Sequence, residues 1–117
     1  MFKMVHANIN VTDLERSAEF YGKAFGLKEV RRITKDDFTI VFLSDGYFQL
    51  ELTWLKDKQG PYDLGDNESH ICFAADDLEA AFKLHSEMGI VSFENKEMGV
   101  YFIEDPDGYW QEVKRAK

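Results

Sequence analysis

The chain is written twice. His6-Ala-Asn-Ile-Asn-Val-Thr-Asp-Leu-Glu15 returns as His70-Ile-Cys-Phe-Ala-Ala-Asp-Asp-Leu-Glu79, with His6 and His70, Asp13 and Asp77, Leu14 and Leu78, and Glu15 and Glu79 all 64 positions apart. Further on, Asp45-Gly-Tyr-Phe-Gln49 returns as Asp107-Gly-Tyr-Trp-Gln111 at an offset of 62, so the intervening loops drift by two residues. Self-similarity at a fixed offset means that one supersecondary unit is used more than once, and any fold assigned to the chain has to be made of two such units.

Each copy opens with period-two alternation, the pattern of a strand with one buried face. In the first copy Val5, Ala7, Ile9 and Val11 share a face opposite His6, Asn8 and Asn10. A helix follows in each. Thr12 with Glu15, and Asp76 with Glu79, have capping-box spacing. Leu14, Ala18, Tyr21 and Phe25 then recur at helical intervals up to Gly26, as do Leu78, Phe82 and His85 up to Gly89. Three strand-like runs complete each copy, about 28–34, 38–43 and 47–54, then about 90–94, 100–104 and 109–113. The plan is α+β, two tandem βαβββ modules forming curved mixed sheets within one domain spanning 1–117. Module 1 covers about 1–55, a polar joint with a Gly-Pro step about 56–67, and module 2 about 68–117.

A chain of 117 residues with 44% hydrophobic and 15% aromatic content can build a core without disulfides, and the single Cys72 has no partner for one. That cysteine usage fits a reducing, cytoplasmic setting. No apolar run has signal-peptide or membrane-span length, so neither secretion nor a membrane partner is expected. A net charge of −8 repels phosphate backbones and disfavours nucleic acid.

Four residues are candidates for chemistry. His6 and His70 stand on the strand face opposite the apolar, helix-packing side, at matching places in the two modules. Glu51, between Leu50 and Leu52, and Glu112, in Trp-Gln-Glu-Val, put carboxylates into β-patterned runs. A lone strand glutamate is most often simply solvated. Two imidazoles recurring in register with two carboxylates, however, match the ligand preferences of Zn, Ni, Co or Mn. The glutamates fit less neatly: counted from the shared Asp-Gly-Tyr, Glu51 lies one residue further along than Glu112, a difference that a β-bulge would absorb. His85, in the place of Tyr21, reads as a packing residue. Cys72 lines the His70 side of its strand and reads as an inert thiol. Asp105-Pro-Asp-Gly108 reads as a hairpin turn.

Val5-His6 with Asp13-Leu-Glu-Arg-Ser-Ala-Glu-Phe-Tyr21 and Phe25-Gly-Leu27, Leu50-Glu-Leu-Thr53, Tyr62-Asp-Leu-Gly65 before Ser69-His-Ile71, and Glu104-Asp-Pro-Asp-Gly-Tyr109 through Glu112 together resemble glyoxalase I, lactoylglutathione lyase. The resemblance covers nearly the whole chain, and its outline is that of the vicinal oxygen chelate superfamily (glyoxalase/bleomycin-resistance/dioxygenase-like). By position it implies His6, Glu51, His70 and Glu112 as metal ligands, Glu112 as the base with Glu51 as its partner, and a divalent ion with nickel or cobalt favoured over zinc. It further implies a homodimer with shared sites and a small-molecule substrate, the hemithioacetal of methylglyoxal and a thiol. Where members often carry an arginine near the end of the first strand and an asparagine after the second ligand, both on glutathione, this chain has Asn10 and Leu55, so the thiol is glutathione or another. The residues leave two further readings open. One is a different metal enzyme of the superfamily: an epimerase, a thiol transferase acting on epoxides, or a dioxygenase, which fits least because its iron uses a two-His, one-carboxylate face. The other is a metal-free module that binds a drug and confers resistance.

Overall fold

The computed structural model describes residues 1–58 and 60–117. The element order is β1 (His6–Asn10), α1 (Leu14–Phe25), β2 (Lys28–Thr34), β3 (Phe38–Ser44), β4 (Gln49–Leu55), β5 (Ile71–Ala75), α2 (Leu78–Glu87), β6 (Val91–Asn95), β7 (Val100–Glu104) and β8 (Trp110–Arg115). This is the βαβββ plan twice. The chain divides into two compact units, Met1–Asp63 and Leu64–Lys117. Each holds one four-stranded mixed sheet, in the order β1-β4-β3-β2 and β5-β8-β7-β6. The first strand of each unit runs parallel to the last, and the remaining pairs are antiparallel. No helix among the described residues is long and apolar enough to cross a membrane.

The helices begin one residue later than the capping-box spacing suggests. Asp13 and Asp77, in extended backbone, are the N-caps, their carboxylates accepting from Arg16 N at 3.1 Å and Ala80 N at 3.0 Å. The hydroxyl of Thr12 instead accepts from the Arg16 guanidinium at 3.0 Å. A carboxylate at the cap also meets the positive end of the helix dipole, and this favours aspartate over the threonine beside it. At the other end of α1, Gly26 takes the left-handed conformation at φ 71° and its N–H returns to Gly22 and Tyr21.

In the first unit α1 packs on β3 and β4, and the core lies between them: Val11, Leu14, Tyr21, Val41, Leu43, Leu50 and Leu52 are buried. Period-two alternation therefore turns Glu51, between Leu50 and Leu52, away from the helix. In the second unit Tyr101, Ile103, Gln111 and Val113 are buried, and Glu112 faces the other way. Three of the buried side chains there are polar, His85, Asp105 and Gln111, and all are hydrogen-bonded, with Asp105 Oδ1 accepting from Asp107 N and Tyr109 N. Gln111 Oε1 accepts from Ile71 N at 2.8 Å, and His85 Nδ1 meets Tyr101 Oη at 2.7 Å, so His85 is a core residue hydrogen-bonded within its unit. Burial pushes the Tyr101 hydroxyl up to about 12. Leu52, with no exposed surface, tests the core of the first unit: Leu52→Ala should cost about 2–5 kcal/mol, read from the shift of the urea midpoint.

Candidate functional site

The one-residue offset between the two glutamates is taken up in a turn, and no bulge interrupts either strand. Ser44 pairs with Gln49 across the four-residue turn 45–48, whereas Glu104 pairs with Trp110 across the five-residue turn 105–109. Asp45 Oδ1 accepts from Tyr47 N and Phe48 N in the first turn; Asp105 Oδ1 accepts from Asp107 N and Tyr109 N in the second. Asp105, rather than Asp107, thus does the work of Asp45. Glu51 and Glu112 come two residues after Gln49 and Trp110 respectively, at the same ladder position. The register shifts that do occur are on β2, between Glu29 and Arg31, and on β6, between Val91 and Phe93.

Strand pairing then brings each glutamate to its histidine. Glu51 lies opposite Asn8 on the parallel neighbour, and Glu112 opposite Cys72, each two residues along from a histidine on the same face. His6 Nε2 is 3.7 Å from Glu51 Oε1, and His70 Nε2 is 3.0 Å from Glu112 Oε1. The glutamates are the more enclosed partners, with side chains 16% and 19% exposed against 42% and 31% for His6 and His70. Each histidine stands edge-to-face against a phenylalanine, His6 on Phe42 with ring centres 5.7 Å apart and His70 on Phe102 at 5.0 Å. Phe42 pairs with Glu51 and Phe102 with Glu112 in the antiparallel ladders, so every member of the trio recurs.

The orientation of His70 is set by its backbone. Its Nδ1 lies 2.7 Å from the Glu68 carbonyl oxygen, which can only accept, so the Nδ1 proton is donated there. In the neutral ring the lone pair is then on Nε2, directed at the Glu112 carboxylate. Two acceptors face each other, and a proton or a cation between them satisfies both. Ligands of one zinc-like ion sit about 2.0–2.2 Å from it, so two that share it lie no more than about 4 Å apart, and both His–Glu separations meet that limit. Among the described residues no three His, Cys, Asp or Glu side chains are arranged to hold one ion: the four candidates come as two His–Glu pairs, one in each unit.

The surroundings of the two pairs differ. Beyond Phe42 lies Arg31, its guanidinium 5.5 Å over that ring. Around His70 a pocket of about 360 Å³ is lined by Glu68, Phe93, Phe102 and Trp110. Cys72, across from Glu112, has its thiol pushed up by burial and then by the Glu112 carboxylate, which disfavours the nucleophilic thiolate. Phe42, Phe102 and the Glu68 carbonyl are contacts that sequence reasoning missed. The phenylalanines had a legible signal, one in the third strand of each copy; the carbonyl had none.

A βαβββ unit present twice, each copy carrying a histidine and a glutamate on the sheet face turned from its helix, defines a class of tandem-module α+β proteins. The chain belongs to the Glyoxalase/Bleomycin resistance protein/Dioxygenase superfamily, whose family model matches residues 3–113. It is 34% identical to the lactoylglutathione lyase of Neisseria meningitidis serogroup A, over 98% of this chain and 91% of that protein. It is 31% identical to the lactoylglutathione lyase of Schizosaccharomyces pombe, over 96% of this chain but only 47% of that protein, so it spans about half the length of this relative. The solved structure of the trypanothione-dependent glyoxalase I of Leishmania major superposes with a TM-score of 0.89 at 29% identity, over 98% of this chain and 87% of that one.

Proposed function

We propose that the chain is a divalent-metal-dependent lyase of the glyoxalase I type, isomerising the hemithioacetal of methylglyoxal and a thiol to the lactoyl thioester. The observation that carries this reading is the recurrence of one His–Glu pair in one ladder register in both units. The names of the relatives point the same way. His6, Glu51, His70 and Glu112 would hold the ion, with nickel or cobalt favoured and zinc third. When bound, it supplies Lewis-acid stabilisation of the negative charge that develops on the substrate's two vicinal oxygens.

The residues of the chain do the rest. Glu112 takes the proton from the carbon that bears sulfur, and the C–H electron pair moves into the adjacent carbonyl to give an enediolate. The same carboxylic acid returns the proton to the neighbouring carbon while the hydroxyl proton of the sulfur-bearing carbon passes to the neighbouring oxygen, so the first carbon becomes the thioester carbonyl, the second a 2-hydroxy carbon, and no other reactant is consumed. Glu51 serves as the partner carboxylate. Glutathione or another thiol supplies the sulfur. The enzyme acts as a cytoplasmic homodimer whose sites are shared, His6 and Glu51 coming from one chain and His70 and Glu112 from its partner.

Purified without chelators, the protein should carry about one equivalent of divalent metal per chain by elemental analysis. Stripping should lower the Tm, and re-adding nickel, cobalt or zinc at about a hundredfold over Kd should restore about 2.7 kcal/mol by linkage. Methylglyoxal with each of several thiols should then give the thioester absorbance. Stability and turnover that both ignore stripping would sink the metal reading and favour the binding module.

A further inference from the structure

We propose that Arg31 is a specificity-determining residue that binds a carboxylate of the thiol, so that the thiol taken by this enzyme is an anionic one with its carboxylate several bonds from sulfur; the proposal rests on the lyase reading above. One row of ladder partners crosses each sheet at the glutamate. In the first unit it runs Asn8, Glu51, Phe42, Arg31, and in the second Cys72, Glu112, Phe102, Phe93. Partners in a row share a face, so Arg31 and Phe93 stand on the faces that carry the His–Glu pairs. The register shift on β2 is what turns Arg31 there. Glu29 pairs with Leu43, so in unbroken register Val30 would meet Phe42, and Arg31 would meet Val41 on the buried helix side. The extra residue swings Arg31 to the Phe42 side, the re-aiming that such irregularities perform beside functional sites. β6 repeats the shift between Val91 and Phe93, and there it delivers a phenyl ring.

The two units therefore present different chemistry at one framework position. Phe93 helps to line the pocket beside His70. Arg31 lays its guanidinium 5.5 Å over the Phe42 ring, whose centre lies 5.7 Å from that of His6. Among the described residues no carboxylate pairs with Arg31, whereas Arg32 beside it, on the helix side, is held by Glu15 and Glu29 at 2.9 Å each. A guanidinium that is stacked but unpaired keeps its two-pronged donor edge available, and a carboxylate is the group that matches it. The net charge of −8 repels an anion in general, so recognising one takes a fixed cation at the site. Methylglyoxal carries no charge, and the anionic group can therefore belong only to the thiol. Strands lie about 4.8 Å apart, so Arg31 stands roughly 10 Å from Glu51 along the row, with Phe42 between them. With the sulfur at the ion, a carboxylate on the sulfur-bearing carbon falls short of Arg31, and one on an extended, peptide-sized thiol reaches it.

Steady-state kinetics of the metal-loaded full chain with three thiols tests this: glutathione, whose carboxylates lie far from sulfur; its diethyl ester, in which they are uncharged; and 2-mercaptoethanol. Arg31→Gln should raise KM for the glutathione hemithioacetal about 10–100-fold and leave kcat within about threefold, because a contact kept from ground state to transition state is uniform binding. For the other two hemithioacetals the same substitution should change KM by less than about twofold. Arg31→Lys, which keeps the charge without the fork, should recover part of the loss. Lys28→Gln and Lys114→Gln each remove one positive charge from exposed positions elsewhere on the sheets, and should stay within about threefold of wild type at about 0.15 M salt. Calorimetric titration with S-methylglutathione, which has no thiol to react, should give the same order of affinities without any turnover. An unchanged KM for glutathione in Arg31→Gln, an equal rise with the diethyl ester, or equal weakening in the two lysine variants would overturn the proposal and leave the lyase reading intact. A wild type that turns over none of the three thiols, while S-methylglutathione still binds through Arg31, would count against the lyase reading and leave Arg31 as the carboxylate contact.

Discussion

Glu112→Gln should lower turnover of the methylglyoxal hemithioacetal by about two to four orders of magnitude, the usual contribution of a positioned general base. The substitution keeps the shape of a side chain only 19% exposed, and its carbonyl oxygen still accepts, so the fold and much of the substrate affinity should persist. What disappears is a group that can take a proton from carbon. The loss should therefore fall on kcat, with KM changed far less, because the interaction removed is made in the transition state and not on binding. A stopped-flow record of thioester formation at saturating substrate separates the two. A near-normal rate would transfer the role of base to Glu51 or to water.

Mixing two dead variants should give live enzyme. One carries His6→Ala with Glu51→Ala, the other His70→Ala with Glu112→Ala, and each lacks one complete His–Glu pair and is expected to be inactive alone. Unfolded and refolded together in equal amounts, half of the dimers that form at random are mixed. If each site draws one pair from each chain, a mixed dimer has one intact site of two, and the mixture regains about a quarter of wild-type activity. If all four ligands come from a single chain, no pairing reunites them. An inactive mixture shown by mass spectrometry to contain mixed dimers would therefore rule out sharing. The expected change, from background to about a quarter of full activity, needs no comparison of small rates.

Much of the fold was legible in the residue order because its signals are local. Period-two runs and helical spacing depend on neighbours a few positions apart, and the 64-residue repeat doubles every such signal, which is why the βαβββ plan emerges from the sequence with element ends displaced by only a residue or two. The same locality put His6 and Glu51 on faces away from the apolar side. It also misled at the helix starts, where Thr12 and Asp13 both have capping chemistry and only the backbone angles of the folded chain select Asp13. The repeated Asp-Gly-Tyr misled in another way: it is a likeness of residues but not of turn geometry, and it concealed the longer second turn that brings Glu112 into step with Glu51.

Composition and order determined that the chain is two copies of one module, which faces those copies bury, and which residue types are available for chemistry. Tertiary structure decided what meets what. His6 and Glu51 are 45 residues apart in sequence and His70 and Glu112 are 42 apart, and their side chains approach only because two parallel strands pair in one particular register. A slip of one residue would turn every side chain of a strand to the other face. Register is a property of the whole sheet, set by the buried face and the turn lengths together, so no window of sequence contains it.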